Sequence, residues 1–263
     1  MRSNNPVFAR QADFAPQRST YAPSYQGSGF DPYAAPPQSD RMTMDDVITR
    51  TGLTLGIVLL AGAAAWLLVP GVLAMPVSIA SALAALVCAF MVVGRRGVRP
   101  GAVVAYAILE GLFIGIFSKL METLFPGIVV QAVIATFVVA GLTLLAYRHF
   151  DLRRRVNKIR RGVFIATGAM AIVFLGNLVL ALFGVDTGLR SVGPDAGGLA
   201  VIVTLIAAVL ATLNLLVDFG AVEEGIRNGA PAEQSWVAAF GLTVSMVWLY
   251  TELLRILSFF RQN

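Results

Sequence analysis

The sequence contains few charged residues, and this scarcity excludes a soluble globular domain. Only 13% of its 263 residues are Asp, Glu, Lys or Arg, whereas a soluble domain carries about 25%. Hydrophobic residues make up 57% of the chain, and they gather in runs of about 20, enough to cross a hydrocarbon core of about 30 Å. The runs are continuously apolar rather than alternating, so the sequence predicts membrane-spanning α-helices within a lipid bilayer.

Cysteine and histidine are almost absent, each occurring once, as Cys88 and His149. This excludes a disulfide framework and a zinc site built from Cys and His. The GxSxG, HExxH and GxxxxGK[ST] motifs are also missing from the sequence, so it lacks the signatures of a hydrolase or of an ATP-driven pump. We therefore expect no enzymatic activity, no catalytic residue and no bound cofactor.

Seven apolar runs predict an all-α, seven-helix membrane bundle. They cover about 52–69, 73–94, 101–123, 127–147, 162–184, 198–219 and 236–260. Residues 1–42, rich in Pro, Gln, Ser and Tyr, are expected to form a disordered cytoplasmic tail before a single membrane domain, 43–263. Thr43, followed by Asp45 and Asp46, indicates the start of a helix.

Arginine and lysine cluster after the second and fourth runs, at 95–99 and 148–161, while the alternate loops are nearly uncharged. The positive-inside rule then places the N-terminus in the cytoplasm and the C-terminus outside. We expect a multi-pass protein of a bacterial plasma membrane. Because the basic residues flank apolar runs, they indicate membrane orientation rather than nucleic-acid binding.

Three carboxyl side chains lie within or at the edge of the apolar runs, at Glu110, Asp218 and Glu252. Acids at this depth are costly to hold in lipid, so each is a candidate functional residue. At about 1.5 Å per residue, Glu110 and Glu252 fall near the midplane and Asp218 near the cytoplasmic edge. They form a candidate site for Ca²⁺ and for proton sensing, since hard oxygen ligands favour Ca²⁺. Asp218 also fits a boundary residue that reaches the interface.

Polar residues near these acids leave two interpretations open. Arg255, on the same helical face as Glu252, supports the site or simply neutralises that acid. Asn214, one turn before Asp218, offers a supporting ligand or an interhelical hydrogen bond. Gly111 and Gly115 form a small-residue face, which predicts a close contact with another helix.

Several motifs, in their order, resemble the Bax inhibitor transmembrane family. They are EGL at 110–112, NLLVDF at 214–219 and LYTELLRIL at 249–257, while VITRTGLTLG at 47–56 resembles the bacterial branch more closely. The likeness covers about residues 43–260 and leaves the tail out. It implies a seven-helix bundle with a central last helix.

The resemblance also implies a pH-sensitive Ca²⁺ leak governed by two aspartates on the last two helices. Asp218 matches the first of these by its motif, Glu252 stands where the family has the second, and Glu110 matches the acid of EGL. A turn near 229–231 would place Leu242 level with Asp218 and Glu252 about 15 Å deeper. A direct carboxyl pair would therefore need a broken or strongly tilted last helix, so we favour Glu110 with Glu252 at midplane.

We expect a channel or transporter that passes Ca²⁺ down its gradient, with acidic side chains setting its pH dependence. The alternative is a non-transporting regulator that binds another membrane protein, such as a quality-control protease, through its N-terminal tail. A proton-coupled carrier would need an inverted repeat, and the sequence has no convincing internal symmetry.

Overall fold

In the computed structural model, the described residues (41–94, 99–150 and 152–261) form seven α-helices and no β-strand. The helices are α1 (Met44–Leu68), α2 (Gly71–Val93), α3 (Pro100–Leu124), α4 (Ile128–His149), α5 (Arg153–Leu182), α6 (Gly198–Arg227) and α7 (Gln234–Phe259). All seven are long and apolar enough to cross a membrane. The predicted all-α fold with seven spans is confirmed.

The last helix, α7, is the centre of the bundle. It packs on α1, α3, α4 and α6, and it is the most buried of the seven spans. Its buried side chains include polar and charged groups, among them Thr243, Ser245, Glu252 and Arg255. A charged residue in the buried part of α7 must therefore find its partners inside the protein, because neighbouring helices shield it from solvent.

Helix α1 begins well before the first apolar run. Thr43 caps it, since the hydroxyl oxygen of Thr43 accepts from the amide of Asp46 at 3.2 Å and the carboxylate of Asp46 accepts from the amide of Thr43 at 3.2 Å. This reciprocal arrangement satisfies two backbone donors at the helix start. The Thr-Asp signal therefore located the helix start, whereas hydropathy located only the start of the apolar span.

Two other helices also extend beyond their apolar runs. Helix α5 begins at Arg153, so the basic residues after it lie in the first turns of a helix and not in a loop. Helix α6 continues through Glu223 and Glu224 to Arg227, which shortens its connection to α7 to residues 228–233. Charged residues are compatible with a helix outside the hydrocarbon, so polarity marks the membrane boundary and not the helix end.

Helices α1 and α3 approach closely at two glycines, as the small-residue face predicts. A Cβ at Gly111 would lie 2.6 Å from the carbonyl oxygen of Val58, and a Cβ at Gly115 would lie 2.7 Å from the Cα of Gly62. Only glycine leaves room for backbones this close. Glu110 therefore lies directly beside a tightly packed helix pair.

The first described residues pack on the turn between α6 and α7. Arg41 forms an isolated antiparallel β-bridge with Pro231, and Met42 is buried. The rest of the predicted tail lies outside the described residues. We call this end of the molecule, which also carries the start of α5, the basic end. The opposite end, where Arg261 donates to Gln131 at 2.8 Å, is the far end.

Candidate functional site

Glu252 is the most completely enclosed acid among the described residues. Its side chain is 0% exposed and forms an ion pair with Arg190, Nη1 to Oε1, at 2.7 Å. The indole nitrogen of Trp248 donates to the same oxygen at 3.2 Å. Arg255 Nε lies 3.9 Å from the second carboxylate oxygen, which has no hydrogen-bond partner. Glu252 therefore interacts with two arginines through its charge and with one tryptophan through a hydrogen bond, and it lies at the centre of this cluster.

This ion-pair cluster, formed by Arg190, Trp248, Glu252 and Arg255, ties the connection between α5 and α6 to α7. Arg190 lies in that connection, and its guanidinium stacks 4.1 Å from the ring centroid of Phe174 on α5. Arg255 on α7 donates in turn to the carbonyl oxygen of Ser191 at 3.2 Å. The charge of Glu252 thus holds a far-end loop against the central helix.

Sequence reasoning missed Arg190, although it anticipated Arg255 as a partner of Glu252. Residue 190 lies in a connection that the sequence analysis treated as nearly uncharged, and it is 62 positions from Glu252. A signal was present, because an arginine is unusual in a loop that the positive-inside rule predicts to lie outside. A lone basic residue at the far end is therefore a candidate partner for a buried acid.

Asp218 lies against α7 in a separate place. Its carboxylate accepts from the Ser245 hydroxyl at 2.5 Å, and Gly241 lies beside it, so that a Cβ there would be 3.5 Å from Asp218 Oδ1. Asp218 is only half-buried, and nine residues of α6 follow it, the last of them Arg227, about 14 Å of helix. Asp218 therefore contacts the central helix about 14 Å before the end of α6.

Glu110, also half-buried, lies on α3 one turn after Tyr106. The rings of Tyr106 and Phe240 pack edge to face at 4.9 Å between centroids. Because α3 and α7 run in the same direction from the basic end, Glu110 is level with a residue about one turn beyond Phe240. That is the level of Ser245 and hence of Asp218.

The relative depths of the three acids along α7 therefore differ from the sequence estimate, which placed Glu110 and Glu252 at the same depth. Glu110 and Asp218 share a level, whereas Glu252 lies seven residues beyond Ser245 on an unbroken α7, about 10 Å further towards the far end. In the described part of the chain, no group of three or more His, Cys, Asp or Glu side chains is arranged to hold a metal ion. Asp218 and Glu252 have separate partners and do not form a direct pair.

Asn214 is an interhelical link. Its amide nitrogen donates to the Thr167 hydroxyl on α5 at 2.6 Å and to the carbonyl oxygen of Leu210 at 2.9 Å. Of the two interpretations of this residue, the structure matches the interhelical hydrogen bond. It attaches α5 to α6, the only extended contact that α5 makes within the described bundle.

Seven spans around a central last helix, with acids on the last two helices, are what the sequence motifs led us to expect. The sequence matches the family described as Bax inhibitor 1 like over residues 5–262. The chain belongs to this family. A search of curated proteins gives no match to it. The match to the Bax inhibitor 1 like family begins at residue 5 and so includes most of the N-terminal tail, which the motif resemblance did not cover.

Proposed function

We propose that this chain is a pH-sensitive calcium leak, in which protonation of buried carboxylates changes how α7 packs. The observation that carries the proposal is the ion pair between Glu252 and Arg190 at 2.7 Å, with Glu252 fully buried. Loss of the negative charge of Glu252 would remove this ion pair and free the loop that Arg190 holds. Membership of the Bax inhibitor 1 like family supports the same reading.

The charges around Glu252 disfavour direct binding of Ca²⁺. One carboxylate faces two guanidinium groups, those of Arg190 and Arg255, so the local charge is positive and repels a divalent cation. We assign Ca²⁺ contact instead to Asp218 and Glu110, which share a depth and lack an arginine at ion-pair distance among the described residues. Their oxygen atoms suit Ca²⁺, which takes hard ligands in flexible geometry.

The test is calcium flux into liposomes that carry the purified protein, measured across external pH 5 to 8. Glu252→Gln imitates protonation, so this variant should show near neutral pH the flux that the wild type shows in acid. Asp218→Asn and Glu110→Gln should change the size of the flux, because they remove oxygen charge at the level where we place the ion. Glu233→Gln is the matched control, since Glu233 is exposed at the start of α7.

A wild-type flux equal to that of empty liposomes at every pH would contradict the leak. The protein would then fit the alternative function, a regulator that binds another membrane protein through residues 1–42. Pull-down of full-length protein against a chain lacking that tail is the matching experiment. A flux that Glu252→Gln leaves with an unchanged pH profile would retain the leak but contradict our assignment of the sensor.

We also propose that the basic end faces the cytoplasm of a bacterial plasma membrane, because Arg155, Lys158 and Arg161 lie exposed there on α5 and cytoplasmic ends are rich in such residues. A cysteine introduced at Glu233 should react with an impermeant thiol reagent only after the cells are opened. The single natural thiol, Cys88, is buried and provides a low background.

A further inference from the structure

Helices α1 and α4 frame an apolar crevice on the side of the bundle. Both pack on α7, but they make no extended contact with each other. The space between them is about 390 Å³, and its floor is formed by Val247 and Tyr250 of the central helix. On α1 its lining runs from Leu55 to Leu67, about 18 Å of helix, slightly more than one leaflet of a hydrocarbon core of about 30 Å.

The chemistry of the crevice is that of hydrocarbon. Its few polar side chains are already bonded within the protein: the hydroxyls of Ser118 and Tyr250 bond each other at 2.6 Å, and Thr136 donates to the carbonyl oxygen of Ala132 at 2.7 Å. Each of these hydroxyls therefore already has a partner inside the protein. An apolar cavity of about 150 Å³ already takes up benzene, and small-molecule sites measure about 300–1,000 Å³, so this space suits a larger apolar group.

The rims of the crevice show what surrounds it. Leu59 and Leu67 on α1 and Phe137 on α4 line it and are also 57%, 79% and 53% exposed. In a membrane-spanning bundle such side chains face lipid, so the crevice opens sideways into the acyl-chain region of the bilayer. It is not a surface for an aqueous ligand.

A positive charge lies at the far end of the crevice. The ammonium group of Lys119 donates to the carbonyl oxygens of Trp66 at 2.7 Å and Val69 at 3.3 Å, and Trp66 lines the crevice. An ammonium group has three donors, so one N–H remains after these two bonds. The nearby carboxylate of Glu122 is occupied by the amides of Gly127 and Val129. A phosphate at this depth would find Lys119 as its attractive partner.

From this arrangement we infer that the crevice between α1 and α4 binds one acyl chain of a membrane phospholipid from the far-end leaflet, with its phosphate at Lys119. The crevice is about as long as one leaflet is thick, and its lining is apolar like an acyl chain. The positive charge of Lys119 at its far end is complementary to a phosphate headgroup. The chain would contact α7 directly and would support α1 and α4 where they do not support each other. This site is independent of the acids and of calcium flux.

The test uses the full-length protein in vesicles that contain a phospholipid with a photoactivatable diazirine in the middle of one acyl chain. After illumination, mass spectrometry locates the attached lipid. We expect adducts on the floor, at Met246, Val247 and Tyr250. Val133→Phe, which fills the crevice from α4, should reduce floor labelling by about fourfold for each methylene it excludes. Ile134→Phe is the control, because the neighbouring Ile134 is 59% exposed and does not line the crevice.

Two further arms identify the occupant. Ala63→Phe fills the crevice from α1 and should repeat the loss, and thermal unfolding of each variant shows whether it is folded. Lys119→Gln should reduce labelling by the phospholipid but not by a diacylglycerol with the same chain, which lacks a phosphate. Equal floor labelling in wild type and in folded Val133→Phe and Ala63→Phe would overturn the site. A third probe is a free fatty acid with the same diazirine. If it labels the floor and the phospholipid does not, or if neither of the two labels it, a phospholipid is not the occupant.

Discussion

Glu252→Gln should lower the free energy of unfolding by about 3–5 kcal/mol, the cost of removing one partner from a buried ion pair. The side chains of Glu252 and Arg255 are only 0% and 4% exposed, so the Arg255 guanidinium would keep its charge without an adjacent carboxylate. Its hydrogen bonds to Ser191 and Thr204 remain, which favours the lower half of that range. Arg190 matters less, because its side chain is 25% exposed and can reach water.

The same reasoning ranks the variants of the cluster. Arg190→Gln removes a charge-assisted hydrogen bond but leaves Glu252 with Arg255 and Trp248, so it should cost about 1.5–3 kcal/mol. The double variant Glu252→Gln with Arg255→Gln leaves neither charge behind. It should therefore be more stable than the sum of its two single variants predicts.

Thermal unfolding of the purified protein in detergent, followed by helical circular dichroism, measures these differences. For a chain of this size about 1 kcal/mol shifts the midpoint by about 2–4 °C, so Glu252→Gln should lower it by at least about 6 °C. Glu233→Gln, on the exposed start of α7, should stay within about 0.5 kcal/mol of wild type. If Glu252→Gln has the same unfolding midpoint as Glu233→Gln, the ion-pair cluster does not stabilise the protein. If the double variant is additive, Glu252 and Arg255 are not coupled.

Three other substitutions test the packing. Gly115→Ala should destabilise the protein by about 1–3 kcal/mol, because the added methyl group overlaps the backbone of Gly62. Gly141→Ala is the control and should not destabilise it, because Gly141 has open space around it. Equal unfolding midpoints for the two variants would contradict the close contact between α1 and α3. Thr43→Ala should cost about 1 kcal/mol through the lost helix cap, measurable as a lower unfolding midpoint. Asn214→Ala should cost about 0.6 kcal/mol, the average for an interhelical hydrogen bond in a membrane protein; a neutral result would show that the bond to α5 adds no stability.

The number of spans could be predicted because it follows from composition. Each apolar run must form its backbone hydrogen bonds internally in lipid, so its own residues decide that it is a helix. Helix ends were less accessible to sequence reasoning, because a polar helix can continue into water. Thus α6 reaches Arg227, well beyond the apolar run that ends near residue 219.

For the three acids, too, one part could be predicted from the sequence and another could not. Their presence at Glu110, Asp218 and Glu252 is legible in the sequence, since an acid within an apolar run is conspicuous. Their partners are not, because Arg190 reaches Glu252 through the packing of a loop on α7, and Ser245 reaches Asp218 from another helix. No local pattern encodes contacts between residues that are distant along the chain.

By itself, then, the sequence determined the membrane class, the seven helices, the family and the three acids, all of which depend on local composition and motif. The tertiary structure alone decided that Glu252 is neutralised by two arginines, that Asp218 and Glu110 share a level, and that α1 and α4 leave a crevice open to lipid. These features depend on how helices are placed side by side. That placement is a balance of many interhelical contacts, and no single segment contains it.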